Sequence, residues 1–328
     1  MLLAESILAR THQKKTMSFS PFDLLQLPTG DGHVLHVAQY GKADGPAAVV
    51  LHGGPGSGTQ PSVLDWFDLS CQRVVLFDQR GSGQSTPQGE IANNDSQRLV
   101  NDIESIRTRL GIERWMVVGG SWGATLALLY AGAHAERISA MVLRGSFLTS
   151  SREMQWFFQS LRAMVPAGWA QLTQGWNEDD QHQVLFTLCR KLLNGSDAEA
   201  ADAASRWSRY EDAVMQAMSG KLSRAPDTTT AVAPRTLAKY RLQAHYLSHA
   251  CFTSEQALLD IAGSLQHVPT ILIHGTHDLV CPPENAVRLA DVMPHAQLRW
   301  VSGGGHTPAD TGIAAALREA VLQLRDKR

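Results

Sequence analysis

One stretch restricts the fold of this chain more than any other feature, the segment WMVVGGSWGATLALLY from Trp115 to Tyr130. Its apolar start, Trp115 to Val118, predicts a buried strand, and its alanine- and leucine-rich end predicts a helix. The spacing Gly119-x-Ser121-x-Gly123 predicts a tight turn between them, because side chains at the glycine positions would clash. Such a turn projects the serine hydroxyl beside a helix N-terminus, whose free N–H groups favour negative charge. Ser121 is therefore the candidate nucleophile.

Further short apolar segments alternate with segments that have apolar residues at helical spacing. The predicted strands are His33 to Tyr40, Ala47 to His52, Arg73 to Phe77, Trp115 to Val118, Ala140 to Arg144, Thr270 to His274 and Gln297 to Val301. The turn-rich link between the first two predicts a hairpin or adjacent strands at the sheet edge. Repeated strand–helix alternation predicts an α/β fold, a mostly parallel central sheet with helices on both faces.

The alternation divides the chain into four parts. We expect residues 1–17 to form an N-terminal extension, and residues 18–149 and 253–328 to form the two parts of the α/β core. Residues 150–252 have helix-like patterns and predict an inserted helical cap over the sheet's C-terminal edge. The cap's aromatic residues are expected to form mostly its own core, with some lining an apolar pocket. The loop from Gly220 to Pro234 is expected to be mobile.

The composition excludes several classes of function. The 328 residues are 44% hydrophobic and 18% charged with a net charge of -2, which indicates no nucleic-acid partner, and there is no apolar run of about 18 residues for a membrane. Four cysteines without a C-x-x-C pair predict free thiols and a cytoplasmic location. We expect the N-terminus not to be a signal peptide, and the choice between Met1 and Met17 as the translation start stays open. The oligomeric state stays open.

A serine nucleophile needs a base, and the base needs a group that holds its tautomer. His306 follows the last predicted strand on a glycine-rich loop, and Asp278 lies in the loop after the preceding strand. The chain order Ser121, Asp278, His306 is that of α/β-hydrolase triads. We therefore predict these three residues as the catalytic group of an α/β-hydrolase fold.

The loop HGGPG, His52 to Gly56, follows a buried strand upstream of the nucleophile. An acyl-transfer site needs a second N–H donor for its oxyanion at this place. The backbone N–H groups of Gly54 and Trp122 are the predicted pair.

Other chemistry finds less support in the sequence. His245 and His249 are four residues apart and suit one helix face, but no H-E-x-x-H motif or cysteine partner accompanies them. Cys281 lacks a local activating pattern for a nucleophile. We therefore expect neither a metal nor an organic cofactor.

Together these motifs resemble the prolyl aminopeptidase (proline iminopeptidase) family of α/β-hydrolases. The similar segments are HGGPG at 52–56, DQRGSGQS at 78–85, GGSWGATLAL at 119–128, RGSF at 144–147 and GGGH at 303–306. The resemblance spans about residues 20 to 325. It implies a metal-independent serine exopeptidase that removes N-terminal proline from short peptides. It also implies that Phe147, Phe157 and Cys281 line the pocket for the proline ring.

The cap departs from this family where specificity is set. Family members hold the substrate ammonium with two glutamates, and the first matches Glu211 in the pair Tyr210-Glu211. The second is replaced by Gln243 in the segment Gln243 to Tyr246. This loss leaves a carboxylesterase or amidase of the same fold as the alternative function. A non-catalytic small-molecule binding protein is a further alternative, against which the intact triad argues.

Overall fold

The computed structural model of the chain describes residues 19–218 and 232–327. In these residues the chain forms one eight-stranded sheet in the order β1-β2-β4-β3-β5-β6-β7-β8. The strands are β1 (Asp23–Pro28), β2 (Val34–Gly41), β3 (Ala47–Leu51), β4 (Arg73–Phe77), β5 (Trp115–Gly120), β6 (Ile138–Arg144), β7 (Thr270–Gly275) and β8 (Gln297–Val301). Pairing is antiparallel from β1 through β2 to β4 and parallel from β4 to β8. The predicted mostly parallel α/β sheet is confirmed.

The predicted pairing at the sheet edge is wrong, because β4 lies between β2 and β3. The link after β2 does not fold back as a hairpin. Instead the N–H of Lys42 donates to the carbonyl of Gln72 at 2.8 Å, which holds the link against the start of β4. The apolar β4 segment is buried by a neighbour on each side, whereas β1, which the sequence analysis missed, forms a largely exposed edge.

Alternate residues of the central strands face two separate hydrophobic clusters. On β5, Val117 contributes to one cluster, while Met116 and Val118 contribute to the other. Helices α1, α2 and α9 pack together on the first side, and α11 packs on the second. Helices therefore cover both faces of the sheet, as the sequence predicts.

Eleven α-helices lie in the described residues. They are α1 (Ser96–Arg109), α2 (Trp122–His134), α3 (Ser151–Phe158), α4 (Pro166–Leu172), α5 (Glu178–His182), α6 (Val184–Asn194), α7 (Asp197–Met218), α8 (Pro234–Ser248), α9 (Glu255–Ser264), α10 (Glu284–Val292) and α11 (Thr311–Leu324). Short 3₁₀ turns lie at Pro61–Trp66, Ala135–Arg137, Ser160–Ala163 and Ala250–Phe252. Within the described ranges, no helix is both long enough and apolar enough to cross a membrane.

The helices α3 to α8, here called the helical segment, have a hydrophobic core of their own. Trp207 is fully buried in it, with ring centroids 5.3 Å from those of Phe158 and Tyr240. Most aromatic residues of this segment therefore serve packing. The N-terminal extension at 1–17 and most of the loop at 220–234 lie outside the described residues.

The junction between sheet and helical segment is fixed by a buried carboxylate. Glu153, in the first turn of α3, accepts hydrogen bonds from the N–H groups of Leu148 and Ser150 and from the Ser150 hydroxyl. The side-chain amide of Asn285 on α10 donates to the same carboxylate at 2.5 Å. The Glu153 side chain thus takes part in capping the N-terminus of α3 and links the helical segment to the core.

Candidate active site

The turn that carries Ser121 joins the end of β5 to the start of α2. Ser121 has φ 56° and ψ -124°, a left-handed backbone conformation that costs free energy and that its surroundings must hold in place. A β-carbon at Gly123 would overlap the carbonyl oxygen of Leu51, and one at Gly119 would overlap the carbonyl of Gly123. The glycines of the motif are therefore required by close backbone packing.

His306 and Asp278 meet at the C-terminal edge of the sheet. Nδ1 of His306 lies 2.7 Å from Oδ2 of Asp278, which is 2% exposed. Burial alone would raise the pKa of Asp278, but the charge and hydrogen bond of His306 outweigh it and hold that pKa below the usual range. The ionised carboxylate accepts hydrogen bonds only, so Nδ1 carries the proton and Nε2 is left as the basic atom.

Ser121 borders the same cavity as His306 and Cys281. Among the described residues, no hydrogen bond joins the Ser121 hydroxyl to His306. A serine side chain has three staggered positions, and catalytic hydrogen bonds often form only with substrate bound. Burial raises the pKa of Cys281 well above its ordinary value, so its thiol stays protonated and is a poor nucleophile.

Arg144, at the end of β6, positions the histidine loop. Its guanidinium donates to the backbone carbonyl of His306 at 2.6 Å and lies 3.5 Å from Nε2 of that residue. A β-carbon at Gly120 would overlap this guanidinium. Burial lowers the pKa of Arg144, partly opposed by the negative charge of Asp278. No motif in the sequence predicts this role of Arg144, although a charged residue that ends a buried strand is a usable signal.

The glycine-rich loop after β3 lies against Ser121. A β-carbon at Gly53 would lie 3.4 Å from the β-carbon of Ser121, so the Gly53 backbone packs beside Ser121. Within the described part of the chain, the backbone N–H groups of Gly54 and Trp122 donate to no protein acceptor. Both groups are thus available, and Trp122 stands at the first position of α2.

A buried network holds this loop to α2. The N–H of Gln79 donates to Nε2 of His52 at 3.0 Å, and the Gln79 side chain donates to the carbonyl of His52 at 2.9 Å. The indole N–H of Trp122 donates to the Gln79 side-chain carbonyl at 2.9 Å. Because each buried polar group has a partner, the loop is held rigidly beside Ser121.

A cavity of about 940 Å³ lies between the sheet edge and the helical segment. Its lining includes every substrate-binding residue predicted from the sequence: Phe147, Phe157, Glu211, Gln243 and Cys281. The fold thus gathers these positions around Ser121 and His306.

The carboxylate of Glu211 is the centre of a polar cluster in this cavity. It accepts hydrogen bonds from Lys239 Nζ at 2.8 Å, the Tyr240 hydroxyl at 2.7 Å and the Gln243 side-chain amide at 2.9 Å. Burial would raise the pKa of Glu211, but the Lys239 charge and these donors hold it below the usual range. Lys239 is not among the residues predicted from the sequence, although Lys239 and Gln243 are four residues apart and share a helix face.

The two histidines considered as metal ligands make other contacts. A ring nitrogen of His245 lies 2.7 Å from the carbonyl of Asn94, and one of His249 lies 2.7 Å from the carbonyl of His245. In residues 19–218 and 232–327, no group of three or more metal-ligating side chains is gathered.

Comparison with known proteins identifies the family. The chain matches the α/β-hydrolase fold family over residues 46–312. A proline iminopeptidase of Arabidopsis thaliana is 37% identical over 302 residues, which cover 90% of this chain and 78% of that protein. A proline iminopeptidase of Xylella fastidiosa (strain 9a5c) is 37% identical over 290 residues, which cover 88% of this chain and 92% of that protein. The chain belongs to the proline iminopeptidase family of α/β-hydrolases. The resemblance found in the sequence is confirmed, and the chain is a hydrolase of that family.

Solved structures show the same fold. Proline iminopeptidase of Mycobacterium smegmatis superposes with a TM-score of 0.58 at 22% identity and covers 92% of this chain and 97% of that one. The esterase RhEst1 from Rhodococcus sp. superposes with a TM-score of 0.56 at 18% identity, and the match covers 95% of this chain and 100% of that one. The predicted α/β-hydrolase fold is therefore confirmed.

Proposed function

We propose that this family member is a serine exopeptidase that releases the N-terminal residue, preferably proline, from short peptides through an acyl-enzyme. The observation that carries the proposal is the ionised Asp278 paired with His306 on the cavity that Ser121 borders. A strained serine turn, an oriented imidazole and free backbone N–H groups are the parts that acyl transfer needs.

In the proposed reaction, Ser121 Oγ attacks the acyl carbon while Nε2 of His306 takes the hydroxyl proton. The oxyanion of the tetrahedral intermediate accepts hydrogen bonds from the N–H groups of Gly54 and Trp122. His306 then gives the proton to the leaving amine, and the C–N bond breaks. Water repeats the sequence on the ester, so the acid leaves and Ser121 regains its proton.

The helical segment acts as a cap over this reaction. Phe147 and Phe157 are each less than a tenth exposed and offer apolar surface for a five-membered ring beside Cys281. Glu211 and Gln243 face the same cavity and contact the amine end of the substrate. We also propose a cytoplasmic location, supported by the four cysteines, all free in the described residues.

A carboxylesterase or amidase is the second candidate. The observation in its favour is the ion pair between Lys239 and Glu211, which compensates the carboxylate that would attract a substrate ammonium. An ester or a simple amide needs no such attraction.

A panel of arylamides tests the proposal against this candidate. The purified protein is assayed with prolyl, alanyl and N-acetylprolyl naphthylamides and with a nitrophenyl ester, with Ser121→Ala as control. We expect the highest kcat/KM on the prolyl compound and at least about a tenfold loss on N-acetylprolyl, a difference of ~1.4 kcal/mol. Equal rates on free and blocked prolyl compounds contradict an exopeptidase, and turnover of the ester alone favours the second candidate.

A further inference from the structure

The amine end of the cavity already contains a cation. Lys239 Nζ lies 2.8 Å from Glu211 Oε2, and both side chains are more than two-thirds buried. Glu211 Oε2 also accepts a hydrogen bond from the Tyr240 hydroxyl, and Glu211 Oε1 accepts one from the side-chain amide of Gln243. The carboxylate is thus neutralised and hydrogen-bonded by the protein itself. An ammonium from the substrate would lie beside a second positive charge, which is unfavourable where burial limits screening.

Gln243 leaves one acceptor free at the same place. A carboxylate only accepts, so the NH₂ group of Gln243 must face Glu211 and the carbonyl Oε1 points elsewhere. That oxygen is buried and has no partner among the described residues, and Gln243 is 9% exposed and borders the cavity. Buried acceptors without a partner are rare in proteins, and this one borders the cavity, where a ligand N–H can reach it.

We infer that Lys239, Glu211 and Gln243 form a charge-compensated subsite that binds an uncharged N–H of the substrate rather than an ammonium. The inference rests on the proposed function only for the identity of the substrate end that enters here. Lys239 is then a specificity-determining residue. A prolyl substrate binds with its secondary amine unprotonated, and its N–H donates to Gln243 Oε1.

Other titratable groups also line the cavity. Besides Lys239 and Glu211, they are His52, Asp65, Arg144, Glu153, Asp212, Cys281, His306 and Arg318. Asp212 is next to Glu211 on α7 but is exposed, so solvent weakens its interaction with a substrate charge. Each experiment compares two ligands or two variants at the same pH and ionic strength. The effect of these groups on binding is therefore the same for both members of each comparison.

The first test uses two ligands that differ only in the donor. Binding of pyrrole-2-carboxamide, which has an uncharged ring N–H, and of furan-2-carboxamide, which has a ring oxygen, is measured calorimetrically on Ser121→Ala. We expect the pyrrole to bind about tenfold more tightly. The difference should disappear in the Ser121→Ala, Gln243→Met double variant. Equal or tighter binding of the furan, or no binding of either compound, overturns the inference.

The second test measures protons. An α-amino group has a pKa of about 8, so prolinamide is mostly protonated near neutral pH. We expect its binding to Ser121→Ala to release close to one proton, seen as a binding enthalpy that varies with the ionisation enthalpy of the buffer. With Lys239→Met added, the release should vanish because Glu211 now takes the ammonium. Arg241→Met, an exposed cation removed from the same helix, should behave as the parent.

Proton-neutral binding of prolinamide to the parent overturns the inference, and so does undiminished release in Lys239→Met. If Lys239→Met does not fold, the parent measurement and the pyrrole–furan pair still decide. Failure of the arylamide assay with proton release intact refutes the proposed function and leaves the subsite standing.

Discussion

Nδ1 of His306 lies 2.7 Å from Oδ2 of Asp278, and the ring N–H donates to that carboxylate. The second carboxylate oxygen accepts the backbone N–H groups of Val280 and Cys281, each at 2.9 Å. Asp278 therefore has a fixed orientation as well as a charge. The loop after β7 holds the carboxylate, and the carboxylate selects the tautomer of His306.

Substituting Asp278→Asn should reverse this tautomer. The amide oxygen can keep the two backbone hydrogen bonds, and the NH₂ group then faces His306 and requires an unprotonated Nδ1. The proton moves to Nε2, which can no longer act as a base. We expect kcat on a prolyl arylamide to fall about 10⁴-fold with little change in the melting temperature.

Asp291→Asn is the matched control for this substitution, because Asp291 is an exposed carboxylate on α10. Its activity should equal that of the wild type. If the Asp278→Asn variant retains more than about a tenth of the wild-type kcat, Asp278 does not set the tautomer of His306.

Local patterns are sufficient to predict most of the sheet, and they select residues that the fold gathers at one cavity. The segment that carries Ser121 is recognisable because its glycines are required by backbone contacts to Leu51 and within the turn. The order of the strands in the sheet is not recognisable in the same way. The sequence patterns of β2 and β3 both indicate buried strands, and nothing in them shows that β4 lies between the two. Such pairing depends on contacts distant in sequence, which short-range patterns do not contain.

The polar cluster in the cavity escaped prediction for a similar reason. Lys239 reads as an ordinary helix lysine, and its partner Glu211 lies on another helix. The role of Arg144 likewise depends on the loop that carries His306. Both relationships appear only when distant segments are placed together.

Substituting Gly123→Ala should disrupt the turn that carries Ser121. The added methyl group would overlap the carbonyl oxygen of Leu51, a backbone atom that cannot move aside. We expect a loss of about 1–3 kcal/mol in the free energy of unfolding, measured by denaturant titration, together with loss of activity.

Gly263→Ala provides the comparison, because the nearest atom to a β-carbon there is 3.6 Å away and the residue lies within α9. This variant should be as stable as the wild type or up to about 1 kcal/mol more stable, with unchanged activity. Equal stability loss in the two variants would contradict the close packing described for the turn.

Acid stability should depend on Asp31, which is bonded to Thr29 and to the buried Arg80. Burial would raise the pKa of Asp31, but these hydrogen bonds and the Arg80 charge lower it to about 2. In the unfolded chain the pKa of an aspartate is about 3.9. The contribution of ionised Asp31 to the free energy of unfolding is therefore present above that pH and is lost as the pH falls to about 2. The stability difference between wild type and Asp31→Asn should therefore shrink over this interval.

Unfolding free energies of the two proteins across the acid range check this expectation. Asp44→Asn is the control, since the Asp44 side chain is 80% exposed and its removal should leave the acid profile unchanged. A constant difference between wild type and Asp31→Asn would mean that the Arg80 contact does not favour the ionised form.

The central claim is that Ser121 is the nucleophile and that His306 activates it. The most direct measurement is reaction with a fluorophosphonate followed by mass spectrometry of the digested protein. The account predicts one adduct, on Ser121, formed in the wild type and at least about 10³-fold more slowly in His306→Ala. An adduct on Cys281 or another residue, or equal labelling rates in the two proteins, would contradict it.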